Sequence, residues 1–189
     1  MIDKVILNKD VKGELELFYL FEDGTMQTIR KIKNTILYSG ADIMAKVLSG
    51  NTDYTVNAMY LEYYNGSPST PTIGRDRDTT YYEGLSAPAG YIRVMTIAEP
   101  TFYNTATDYD NNKVQFMAVT DGTYETGPGI IDGTTEFYGA ALVAVPDFSD
   151  KTEDVLFSAA NITDSLGSLA PITKVANAQF GLKWTVQFV

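Results

Sequence analysis

The sequence predicts a mainly β fold, an antiparallel β-sandwich or jelly-roll-like domain with one short α-helix. Three observations predict it. Tyr, Phe, Thr and Val, which suit a half-buried pleated surface, fill the short apolar runs. Gly, Asn, Asp and Pro recur between those runs, where turns need them. Near the C-terminus, Ala178, Phe180, Leu182, Trp184, Val186 and Phe188 alternate strictly with Gln179, Gly181, Lys183, Thr185 and Gln187. That period of two is a strand with one buried face.

Taken in order, residues 14–21 read as a strand, Asp23-Gly24 as a turn, and residues 26–32 as the return strand of a hairpin. The only helical spacing follows. Ser39 is the candidate N-cap and Gly50 stands just past the end. Met44, Val47 and Leu48, with Ile43 beside them, form the apolar stripe, and Asp42 and Lys46 are spaced to pair on the outer face. Residues 56–64 read as a strand. Residues 65–89 form a long irregular loop that holds Arg75-Asp76-Arg77-Asp78. Strands resume at residues 91–97 and 113–119, with an acidic linker over residues 103–112 between them. A Gly-rich turn region over residues 121–133 leads to an apolar run at 135–145, and residues 155–160 read as a further short strand. The final alternating segment needs neighbours on both sides and is placed in the middle of a sheet. Its stripe names the expected core: Phe180, Leu182, Trp184, Val186 and Phe188.

The chain has 189 residues, enough for a single domain with a real core. Residues 1–32 are a candidate N-terminal hairpin arm. There are 14 Lys+Arg against 24 Asp+Glu, a formal charge of −10, which argues against binding nucleic acid through bulk charge. His and Cys are both absent, so disulfides, Cys/His zinc sites, Cys nucleophiles and Ser-His-Asp triads are excluded. No apolar stretch is long enough to span a bilayer, and the N-terminus does not read as a signal peptide.

Three segments, in order, resemble a pattern found in small structural virion proteins of tailed bacteriophages. The first is Lys33-Asn34-Thr35-Ile36-Leu37-Tyr38-Ser39-Gly40, continued through Ala45-Lys46-Val47-Leu48 to Gly50. The second is Phe137-Tyr138-Gly139-Ala140-Ala141-Leu142-Val143. The third is Ile172-Thr173-Lys174, followed by the terminal strand with Trp184, Val186 and Phe188. Together they touch about a quarter of the chain. The resemblance implies a tail, neck, collar or fibre-associated protein, located in the virion. It would bind copies of itself as a homo-oligomer and contact other phage structural proteins. A capsid-decorating or cement protein and a carbohydrate-binding β-sandwich module are the alternatives.

No catalytic, cofactor-binding or metal-binding residue is assigned from the sequence, and a non-enzymatic protein is expected. Asp108-Tyr109-Asp110-Asn111-Asn112 opens like a calcium loop, but Lys113 and Val119 stand where an EF-hand needs Gly and Glu, so a surface turn is expected. The acidic residues Glu62, Glu83, Glu99, Asp121, Glu125, Asp132 and Glu136 offer no selected pair for glycoside hydrolysis. The candidate interface is Arg75, Asp76, Arg77, Asp78, Tyr81 and Tyr82, weighed against a solvated loop whose exposed ion pairs contribute about 0–1 kcal/mol each. Tyr60, Tyr63, Tyr64, Tyr103 and Tyr109 join the tyrosines that flank the loops, where the residue type suits contact surfaces.

Overall fold

The alternating segment becomes strand β11 (Ala178–Phe188), and it organises half of the molecule. The computed structural model describes residues 11–51, 53–64, 73–85, 89–95, 101–105, 108–120, 135–147, 149–173, 175 and 178–188. On one flank β11 pairs antiparallel with β1 (Val11–Phe21), and on the other with β7 (Asp108–Val119). The hairpin partner β2 (Met26–Lys33) and strand β6 (Thr101–Thr105) lie at the two edges, giving the order β2-β1-β11-β7-β6. The N-terminal hairpin is therefore built into this first sheet through β11, at least from residue 11 onward. Residues 1–10 lie outside the described residues.

The second sheet runs β3-β9-β8-β4-β5, from β3 (Thr35–Ile36), β9 (Val155–Asn161), β8 (Glu136–Ala144), β4 (Val56–Tyr64) and β5 (Ala89–Met95). A two-residue strand, β10 (Ile172–Thr173), also bonds to β8. All ladders are antiparallel. The two sheets face each other across one apolar core. Leu15, Leu17, Phe116, Phe180, Leu182 and Trp184 come from the first sheet, and Met59, Leu61, Ile92, Phe137, Ala140 and Leu142 from the second. Phe137 and Phe180 stack between them with centroids 5.0 Å apart. The architecture is thus the mainly β, sandwich-like arrangement that the sequence predicts.

Alternation puts Phe180, Leu182, Trp184 and Val186 wholly inside. The Phe188 side chain lies outside the described residues. Gly181, between two inward residues, lies on the opposite face, where Phe18 crosses it. A Cβ there would lie 2.2 Å from the Phe18 ring, so a larger residue would force that buried ring to move. A bulge between Leu17 and Phe18 shifts the β1–β2 register, which is why the return strand alternates imperfectly in sequence.

Two expectations are corrected. The helix α1 spans Tyr38–Leu48, with Leu37 at the N-cap and no side-chain cap. Ser39 instead donates its hydroxyl to the Leu156 carbonyl of β9 at 2.5 Å, because α1 is pressed on that strand. Gly40 makes the approach feasible: a Cβ there would lie 2.0 Å from the Phe157 carbonyl oxygen. As a result Gly40 and Ile43 are the buried helical positions, and Met44 is half-buried against the core. Val47 and Leu48, expected to face inward, are 50% and 88% exposed. The Asp42–Lys46 pair forms as spaced, at 2.7 Å. The second correction concerns residues 103–112. They are not a linker; their backbone includes part of β6 and the start of β7, which pair with each other. The turn residues Asp108 to Asn112 are held in strand by that partner.

Candidate functional site

The residues singled out in the long loop come together with the tyrosines on the outer face of the second sheet. Alternation along β4 sends Met59 and Leu61 into the core and Ala58, Tyr60 and Glu62 to the other side. That side is covered as well. Residues 73–85 cross it, carrying the short helix α2 (Thr79–Glu83), and create a second apolar layer of Leu37, Ala58, Tyr60, Tyr82, Ala141, Val143, Val145, Leu156 and Ala159. Residues 65–72 and 86–88 lie outside the described residues.

Each member of the candidate interface has a defined place. Asp78 caps α2, accepting from the Thr80 amide at 3.0 Å. Arg75 is exposed, stacks 4.8 Å over the Tyr38 ring and donates to the Ile36 carbonyl at 3.2 Å, which ties the segment to the start of α1. Asp76 is exposed. Arg77 is buried, its guanidinium 3.9 Å over the ring of Tyr81, which is half-buried. Tyr82 is buried, edge-on to Tyr60 at 5.1 Å, to Tyr81 at 5.0 Å and to Tyr91 at 5.4 Å. Three of the six thus present outward surface: Arg75, Asp76 and Asp78. The others seal the loop to the sheet.

Two polar groups lie in this layer. In the first, the buried Tyr60 hydroxyl donates to Asp154 Oδ2, and Arg93 Nη1 lies 3.1 Å and 3.2 Å from the two Asp154 oxygens. The Asp154 side chain is wholly buried and that of Arg93 nearly so. Burial pushes the Asp154 carboxyl up, against the pull of the Tyr60 hydroxyl and of Arg93. In the second, Tyr81 donates to Glu62 Oε1 at 2.8 Å. Glu62 Oε2 and the Tyr82 hydroxyl are buried with no hydrogen-bond partner among the described residues. Burial raises the Glu62 carboxyl above its usual range, outweighing the Tyr81 bond and the charge of Arg77. Burial also raises the hydroxyls of Tyr60, Tyr81 and Tyr82, so all three hold their protons at neutral pH.

A raised Glu62 has a testable sign. The folded form binds the proton more tightly than the unfolded chain, so Glu62 contributes stability below the ordinary glutamate value of 4.5 and loses it as pH rises through the folded value. Glu62→Gln is therefore expected to gain stability relative to the parent as pH rises from about 4 to 7. Urea unfolding across that range checks it; a difference that stays flat or moves the other way contradicts the raised carboxyl.

Arg93 and Asp154 were not singled out from the sequence. A weak signal exists in both cases: Arg93 interrupts the apolar strand Ile92-Arg93-Val94, and Asp154 directly precedes the buried run of β9. Among the remaining acidic candidates, Glu136 accepts from the Tyr138 hydroxyl at 2.6 Å and Glu83 is exposed. Glu99, Asp121, Glu125 and Asp132 lie outside the described residues, as do the side chains of Tyr64, Tyr103 and Tyr109. Among the described residues no three Asp or Glu side chains gather as a metal site would require. Chemically the layer is a clasp: the Asp154 oxygens tie the start of β9 to β4 and β5 through Tyr60 and Arg93, and one Glu62 oxygen holds the 73–85 segment to the sheet through Tyr81. Comparison of the chain with known protein families, with curated proteins and with solved structures returns no match.

Proposed function

We propose that this chain is a non-enzymatic structural component of a tailed-bacteriophage virion that associates with itself and contacts neighbouring tail, neck or fibre proteins. The observation that carries this reading is the surface of α1. Tyr38, Val47 and Leu48 are 62%, 50% and 88% exposed, and all three lie on the helix whose sequence carries the first part of the phage resemblance. Val47 and Leu48 are neighbours at the C-terminal end of the helix, where adjacent exposed apolar side chains offer a contact surface, while Tyr38 stands at the opposite end, stacked under Arg75. The rest of the helix is locked to β9 by Gly40 and Ser39, so the surface is presented rigidly. A net charge of −10 keeps separate subunits soluble before assembly. A carbohydrate-binding module is less well supported, because Tyr60 and Tyr82 are buried and a sugar stacks only on an exposed ring.

Light scattering on the purified protein tests the self-association. A closed oligomer is expected, with Leu48→Lys reducing it to a smaller species at an unchanged thermal midpoint. A ring-sized mass supports a tail or neck position, and a trimer supports the capsid-decorating alternative. A strict monomer, unaffected by Leu48→Lys, overturns self-association through α1.

A further inference from the structure

Strand β2 is an edge: it bonds to β1 on one side, and no strand among the described residues pairs with its other side. The register fixes which main-chain groups face outward. The Asn34 amide donates to the Gly13 carbonyl at 3.2 Å, which makes Gly13 and Asn34 a hydrogen-bonded pair. Antiparallel ladders alternate between bonded and non-bonded pairs. Leu15–Ile32 and Leu17–Arg30 fall in the bonded class, while Glu14–Lys33 and Glu16–Lys31 fall in the other. The N–H and C=O groups of Lys31 and Lys33 therefore point away from β1, toward the open edge.

The side chains of the same two lysines stand on the outer face of the first sheet beside Glu14 and Glu16. Lys31 Nζ reaches those carboxylates at only 3.6 Å and 3.7 Å, and its side chain is more than half exposed. With Arg30, β2 carries three cations and no acidic residue, in a chain whose net charge is −10. Arg30 is turned inward and donates to the carbonyls of Thr163 and Ala170, which fixes the strand against the connection between β9 and β10. A second copy of β2 laid along this edge would bring like charges together, and lysines on an edge oppose such pairing. An extended segment with carboxylates at alternate positions meets both requirements: it pairs with the outward main-chain groups and neutralises the lysines.

We infer that the open edge of β2 is the docking site for an extended acidic segment of a neighbouring protein, added to the five-stranded sheet as a further antiparallel strand. That the neighbour is another virion component rests on the function proposed above; the recognition chemistry of the edge does not.

Amide hydrogen exchange followed by NMR on the intact chain tests this, with two synthetic peptides as probes, one alternating Thr with Glu and one alternating Thr with Lys. In the protein alone, the Lys31 and Lys33 amides are expected to exchange quickly and the Ile32 amide slowly. The Glu peptide at millimolar concentration is expected to slow Lys31 and Lys33 by about tenfold, and the Lys peptide to leave them unchanged. Raising the salt from about 0.05 M to 0.5 M is expected to remove most of the effect. Lys31→Pro deletes an outward donor without touching the bonds to β1. It is expected to abolish the protection of Lys33 while Ile32 stays protected, which shows that the hairpin remains folded. The inference is overturned if Lys31 and Lys33 are already protected in the protein alone, if both peptides or neither protect them, or if Lys31→Pro binds the Glu peptide as well as the parent does. A closed oligomer in light scattering together with any of these results removes the strand docking and leaves the assembly role standing; a strict monomer that binds the Glu peptide does the reverse.

Discussion

Replacing Trp184 by alanine is expected to remove about 3–5 kcal/mol of stability, the cost of truncating a large buried aromatic in a core that relaxes only in part. Trp184 is wholly buried on the central strand of its sheet. Its cross-strand neighbours are Leu15 on β1 and Phe116 on β7, both in the same core. Each kilocalorie moves the thermal midpoint of a domain this size by about 2–4 °C, so a drop of roughly 6–20 °C is expected. Trp184→Phe separates packing from polarity. The indole N–H is buried with no hydrogen-bond partner among the described residues, so that substitution loses volume but also removes an unsatisfied donor. Calorimetry should show Trp184→Phe losing less than half as much as Trp184→Ala. An unchanged midpoint in the alanine variant would refute the placement of this side chain.

The second large effect is expected at the Arg93–Asp154 pair. Removing one partner of a buried pair leaves the other charge uncompensated, at about 3–5 kcal/mol, whereas removing both charges costs much less. Arg93→Met is thus expected to destabilise strongly. Arg93→Met/Asp154→Asn, which keeps an acceptor for the Tyr60 hydroxyl, is expected to recover a substantial part of the loss. Urea denaturation of the single and double variants measures the coupling. Additive losses would show that the two side chains act independently, contrary to their 3.1 Å contact.

The difference between these two sites shows what the sequence makes readable. The place of Trp184 follows from a period of two sustained along one strand, which is local information. The hairpin turn was readable for the same reason: Asp23 accepts from the Thr25 amide at 2.8 Å and Gly24 adopts a positive φ of 81°. The buried face of α1 was not readable. Its spacing favoured Met44, Val47 and Leu48, but the contact with β9 selects Gly40 and Ile43, and the end of the helix is left uncovered. The turn-rich stretch from Asp108 to Asn112 became strand because it opens β7, which pairs there with β6, and that partner is not visible in local composition. At the candidate site the tyrosines and the charged loop motif could be named individually. That Tyr82 and Arg77 would turn inward depends on the loop folding back over the sheet, and that Arg93 would meet Asp154 depends on the strand order that brings β5 and the start of β9 to one face.

The central position of β11 also has a kinetic meaning. Residues 11–21 and residues 178–188 are neighbours in the sheet, so the first sheet cannot close until distant parts of the chain meet. Each sheet contains pairs near in sequence, β1 with β2 and β6 with β7 in the first, β4 with β5 and β8 with β9 in the second, but no pair is as far apart as β1 and β11. Loop-closure entropy therefore favours β11 docking late, with β1 and β7 waiting for the strand between them. Until β11 docks, those two strands offer unpaired flanks to any other chain, and crowding or high expression should divert folding toward aggregation at that stage.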